Sequence, residues 1–197
     1  MKQNRSPSVP PRALATLGIT VLILLAGGPT PEALRAQVKS AGEYEVKAAF
    51  LYNFARYVEW PPERLPAPGE AFVVTVLGED PFGDTLDAIV RDRTVHDRRL
   101  TVRRVARVED VGDSQVLFIS RSEAEDLPRI LQRLETAPIL TVGETAQFAE
   151  RGGMIRFRRE GERIGFDINL ASSERAGLRI SSQLLKLARI VGPAGRG

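Results

Sequence analysis

The chain has 197 residues, which suits one domain or at most two small ones, and at 43% hydrophobic and 27% charged its composition is that of an ordinary globular protein. It has no cysteine, which excludes disulfides, thiol chemistry and lipidation through a cysteine. The formal charge of +3 resides in the first 36 residues, where Lys2, Arg5, Arg12 and Arg35 face Glu32 alone; the remainder is formally neutral, which argues against nucleic-acid binding.

The N-terminus reads as an export signal over residues 1–36. A positive stretch ends at Arg12, and Ala13–Gly28 is apolar but shorter than the ~20 residues of a bilayer span. Pro29 and Pro31 break the pattern, and the bond between Ala36 and Gln37 is the best cleavage candidate. An uncleaved single-span anchor is the alternative. Either way the globular part, residues 37–197, is expected outside the cytoplasm.

Glu43–Trp60 reads as the first helix. Val46, Ala49, Phe50, Asn53, Tyr57 and Trp60 recur at the helical period, and Leu51, Phe54 and Val58 widen the apolar arc until Pro61 and Pro62 end it. So wide an arc is explained by a helix held between two layers, or by a partner surface that includes Leu51, Phe54 and Val58. Phe72–Leu77 is a strand buried on both faces. Asp80 can cap a helix with Pro81 at its first position, running through Leu86, Ile89 and Val90. Strands follow around Leu100–Val105 and Gln115–Ser120. Ser122 and Glu125 have capping-box spacing for a helix over Glu123–Leu134. Pro138–Val142 is a short buried strand, and Thr145–Arg151 a short helix stopped by Gly152 and Gly153.

The end of the chain reads as a hairpin from Met154 to Leu170 with Glu160 and Gly161 at the turn. Phe157 then faces Ile164, Ile155 faces Phe166, and Arg156 lies diagonal to Asp167, within ion-pair reach. A final helix begins at Ser181 and Ser182. The whole is expected to be an α/β, single-domain sandwich with a mixed β-sheet of about five to six strands flanked by helices.

Groups suited to catalysis are scarce. His96 is the only histidine and reads as a solvated surface residue; no serine stands in a nucleophile elbow. Without cysteine, and with one histidine, no metal site and no cofactor are expected. Glu79, Asp80 and Glu144 follow strand ends and could serve acid–base hydrolysis, or simply hold structure. The best candidate anion site joins Arg179 to Ser181 and Ser182, where hydroxyls and free N–H groups open the last helix. Asn53, in the middle of an apolar face, and Arg56, nearly one turn on, are further candidates for ligand contact or for tying down backbone.

The run of segments Glu43–Pro61, Val76–Asp84, Val116–Ser120, Ile139–Gly143, Gly152–Phe157, Phe166–Leu170 and Ala176–Ala188 resembles the YfiR family, in the family's order and over the whole exported part. None of these segments is a catalytic motif. The resemblance implies a periplasmic regulator that binds the sensor part of an inner-membrane diguanylate cyclase, lowering cyclic di-GMP, exopolysaccharide output and biofilm formation. It also implies a possible homodimer and relatives fused ahead of kinase or cyclase modules. A small-molecule site near the last helix would fall on Arg179 and Ser181, the serine replacing what can be a histidine. Redox control through disulfides, found in some relatives, has no cysteines to use here. Two other readings stand beside this non-enzymatic regulator: a periplasmic small-ligand sensor with the Arg179–Ser181 anion site, and a hydrolase using Glu79, Asp80 or Glu144.

Overall fold

A computed structural model describes residues 31–192, with side chains from Ser40 onward, and the folded body runs from Lys39. The expected export signal lies outside the described residues except for its last few positions.

Helix α1 (Pro31–Tyr57) leads directly into the two-residue strand β1 (Val58–Glu59). The main sheet follows: β2 (Phe72–Leu77), β3 (Thr94–Val95), β4 (Arg98–Val105), β5 (Val116–Ile119), β6 (Leu140–Gly143), β7 (Ile155–Glu160), β8 (Arg163–Ile168) and β10 (Arg189–Ile190). Between them lie α2 (Asp84–Val90), α3 (Leu127–Arg133), α4 (Leu170–Arg175) and α5 (Ser182–Leu185); β9 (Arg179–Ile180) pairs antiparallel with β1 as a separate ribbon. The spatial order is β10-β8-β7-β6-β5-β2-β4-β3. β4, β2, β5, β6 and β7 run parallel, and the β7–β8 hairpin and β3 supply the antiparallel pairs. The fold is therefore the expected α/β body with a mixed sheet. Its eight strands exceed the expected five to six because two-residue strands, β3 and β10, finish the edges; six strands have four residues or more.

Alternation along each strand splits the core into two. Val74, Val76, Val116, Phe118, Leu140, Val142, Ile155, Phe157, Phe166 and Ile168 face α1, which lays Ala48, Leu51, Phe54 and Ala55 on them. Leu117 and Ile119 point the other way, to Leu127, Ile130, Leu131 and Leu134 of the α3 layer. This explains why β2 and β5 read as nearly continuous apolar runs. The buried stripe of α1 is not the one the spacing favoured: Val46 is 43% exposed, Ala49 is exposed, and Phe50, Asn53 and Tyr57 are half-buried. The core takes the neighbouring stripe of Leu51, Phe54, Ala55 and Val58, whose Phe54 ring packs on Phe157 and Phe166 with centroids 5.6 and 5.1 Å apart, while half-buried Phe50 touches the same two rings from the margin.

Local expectations shift in several places. Asp80 does not cap a helix at Pro81; its Oδ1 accepts the Phe82 N–H at 2.8 Å in a turn, and α2 starts only at Asp84. Ser122 accepts the Glu79 N–H at 3.0 Å instead of opening a helix, so a 3₁₀ turn over Arg121–Glu123 precedes the shorter α3. Thr145–Arg151 forms turns, not a helix, with Gln147 at φ 58°. The hairpin turns at Gly161 and Glu162. Phe157 faces Phe166, Ile155 faces Ile168, and Arg156 lies directly opposite Asp167. A register error of this even kind keeps every side chain on its expected face.

Phe148 is wholly buried between two glycines. A Cβ on Gly143 or on Gly153 would overlap its ring, so both positions require glycine for space. Gly153→Ala is expected to cost about 1–3 kcal/mol in chemical unfolding. The same substitution should cost much less in a Phe148→Leu background, and an equal cost in both would contradict the overlap.

Candidate functional site

Three polar constellations stand out. The first surrounds Asp167. On the sheet face away from α1, this wholly buried carboxylate of β8 receives Arg156 from β7 and Arg189 from β10. Arg156 Nε and Nη2 lie 2.9 and 2.6 Å from Oδ2; Arg189 Nε lies 2.8 Å from Oδ1. Arg158 Nε lies 2.9 Å from Oδ1, and Glu150 and Glu160 sit behind Arg156 and Arg158. Burial pushes the Asp167 carboxyl up, but the hydrogen bonds from Arg189 and Arg156 outweigh it and hold the group below its ordinary value. The expected Arg156–Asp167 pair is thus not an exposed one of little weight. The sequence reading missed Arg158 and Arg189, which lie 9 and 22 residues from Asp167. Arg158 carried a signal: it shares the alternating face with Arg156.

The second joins α1 to the end of β6. Glu144 accepts from the Tyr44 hydroxyl at 2.8 Å and from the Lys47 ammonium, and Arg121 Nε lies 3.0 Å from it. Lys47 also reaches Glu43 at 2.5 Å and sits over the Tyr44 ring. Burial, with help from the hydrogen bond to Glu144, pushes the Tyr44 hydroxyl above its ordinary value, so it remains a donor to Glu144. Lys47 is buried in the helix stripe that faces the sheet, so this network makes a charge on that stripe tolerable.

The third lies where α1 passes into β1. Ser181 N–H bonds the Tyr57 carbonyl at 2.9 Å, and Arg56 lies over the Tyr52 and Tyr57 rings. Arg93 covers Tyr52 as well, at 4.6 Å from its centroid. Tyr57 thereby links two of the predicted ligand residues, Arg56 and Ser181. Arg179 pairs across the ribbon with Glu59, its side chain 86% exposed and 4.0 Å from that carboxylate. Ser181 Oγ is taken by the Leu184 N–H, and α5 is only four residues long, so its start is an ordinary cap. Ser182 is exposed and Asn53 half-buried. His96 is not a solvated histidine: it is half-buried beside Trp60 and Phe72, and its Nε2 donates to the Val58 carbonyl at 3.2 Å.

Leu51, Phe54 and Val58, the predicted partner surface, are each 0% exposed. They are spent on the core and present no face to a partner. The wide arc arises because α1 is packed on more than one side, not because a stripe is left over. The carboxylates of the hydrolase reading belong to separate networks: Glu79 is exposed, Asp80 holds Arg104 at 2.6 Å, and Glu144 is buried with Lys47.

The buried carboxylates Asp167 and Glu144 are both held by cations, on a mixed α/β sheet that α1 covers on one face. The family model described as YfiR/HmsC-like matches residues 44–189, and the chain belongs to this family. The family is regulatory, not catalytic, and its theme is signalling. The chain is also similar to a conserved domain protein from Vibrio cholerae O1 biovar El Tor, at 14% identity and a TM-score of 0.44. The match covers 60% of this chain and 54% of that one, so the chain spans about half the length of the solved structure it matches.

Replacing Asp167 by Asn leaves three guanidinium groups gathered without a counter-charge, and is expected to cost about 3 kcal/mol at pH 7. Because the folded carboxyl titrates below the unfolded one, its contribution is full above pH ~4 and is lost as pH falls through the folded value. Unfolding curves from pH 7 to 2 should converge for wild type and Asp167→Asn at the acid end. A constant gap across that range would contradict the clasp.

Proposed function

We propose that the chain is an exported, periplasmic regulator that binds an inner-membrane signalling protein, a diguanylate cyclase or a sensor kinase, and restrains it. Cyclic di-GMP and exopolysaccharide output then fall. The observation that carries this reading is the family match across residues 44–189, which spans nearly the whole folded body. The structure supports it by what its polar groups do: the buried carboxylates Asp167 and Glu144 are both paired with cations. Regulation by contact requires only that the chain bind one state of its target better than another.

Expression of the full chain in a host carrying the cognate cyclase should lower cyclic di-GMP, and the chain should co-purify with that cyclase from detergent-solubilised membranes. Unchanged cyclic di-GMP with the protein folded and exported would contradict the reading. Leu51→Asp should abolish both effects by unfolding the domain, which circular dichroism would register, because it places a charge in the core.

A second reading, a small-anion sensor, draws on one feature: Arg56 and Ser181 meet on Tyr57, with Arg179 exposed nearby in the chain. Thermal stabilisation by nucleotides or organic acids that disappears in both Arg56→Ala and Arg179→Ala would favour it.

A further inference from the structure

We infer that the outer edge of β4 is a docking site for an extended acidic segment of a partner protein, which adds to the sheet as a further strand. The inference rests on the reading that the chain works by contact with a protein, and it places that contact.

β4 is eight residues long, but β3 covers only its first two, pairing Thr94 with Arg99 and Val95 with Arg98. The backbone directions are fixed by two hydrogen bonds. Leu100 N–H points outward to the Arg93 carbonyl at 3.0 Å, and the Val105 carbonyl points inward to the Gly78 N–H at 3.0 Å. Peptide groups alternate sides along a strand, so Val102 and Arg104 turn N–H and C=O outward, while Thr101 and Arg103 bond β2. Among the described residues no strand pairs that outward row. An unpaired edge of this kind is a template for strand addition.

Charge selects the occupant. Residues 91–107 hold seven arginines against two aspartates, in a body whose other residues are therefore net acidic. Some of this charge is met locally, since Arg104 is held by Asp80 and Asp87 and Arg107 lies 3.6 Å from Glu109. Arg99 has no ion-pair partner among the described residues and shares a face with Thr101 and Arg103, both exposed. A second copy would set this arginine-rich segment against itself, which like charges oppose. Arginines that guard the edge against self-pairing would guide a strand with an acidic residue beside Arg103 and another within side-chain reach of Arg99, whose own edge position Thr94 of β3 occupies. Its other face would set an apolar residue beside half-buried Val102.

The test uses isotope-labelled full chain and an eight-residue peptide alternating glutamate and valine, with a lysine-for-glutamate peptide as control. The glutamate peptide should perturb the Val102 and Arg104 amides strongly and the inward Thr101 and Arg103 amides little. Arg99→Glu, which breaks no ion pair or side-chain hydrogen bond, should weaken binding about fivefold. Val102→Pro, which removes an outward donor and leaves the β2 ladder intact, should abolish it. Four results would overturn the proposal: no perturbation at millimolar peptide, an equal response to the lysine peptide, an equal response at inward and outward amides, or binding unchanged in Val102→Pro. The choice of partner would also fall if the outward amides were already covered without peptide. Cover that grows with protein concentration means a second copy, and cover lost on removing residues 1–30 means the chain's own N-terminus. Because the readout is amide by amide, failure here leaves the cyclic di-GMP effect free to stand, and the reverse.

Discussion

The C-terminal half of the fold depends on one buried carboxylate. Asp167 sits with no solvent exposure where β7, β8 and β10 meet, and the guanidinium groups of Arg156, Arg158 and Arg189 converge on it. Two of those arginines come from the strand paired with β8 on one side and one from the strand on the other. The charge is therefore a staple across three strands. Its opposite face carries Phe157 and Phe166, on which Phe54 of α1 packs. Ionic clasp and aromatic stack are two sides of the same pair of strands. Neither works if the hairpin slips by one residue, because such a slip exchanges the faces.

The same logic of pairing runs through the rest of the molecule. Lys47 is buried on the sheet-facing stripe of α1, and Glu144, Tyr44 and Glu43 satisfy it. Buried ion pairs rarely add stability over a well-packed apolar pair, but they punish any arrangement that separates them. Here they fix how α1 and the last strands sit on the sheet. Of the carboxylates that the sequence offers for chemistry, Asp80 and Glu144 are committed to ion pairs. The arginine-rich strand β4 differs: among the described residues no strand pairs its outer edge beyond Arg99, and Arg99 itself has no ion pair.

Much of this was legible in the sequence, and the failures have identifiable causes. The buried strands β2, β5 and β6 announce themselves because only apolar or β-branched residues survive between two layers. The hairpin's faces were legible from alternation, whereas its turn was not, because glycine at 161 permits the turn on either side of it. The helix stripe was ambiguous because apolar residues cover more than half of α1. Lys47 on the core-facing stripe even argued for the wrong choice, until Glu144, 97 residues away, is seen to meet it. Asp167 was recognised as Arg156's partner, but its burial depended on Arg189, beyond any local pattern. The Arg179–Ser181 region was singled out for a phosphate-like ligand. In the structure the serine caps one short turn, a role its spacing to Leu184 already allowed.

The clasp is the claim on which the reading of a fully committed interior depends, and the protonation of Asp167 measures it directly. Carbon-13 NMR of the side-chain carboxyl through an acid titration of the folded protein is expected to show Asp167 titrating below the ordinary carboxylate value of 3.8. Titration at or above that value would mean that burial outweighs the arginines, and that the three strands are not held together by charge.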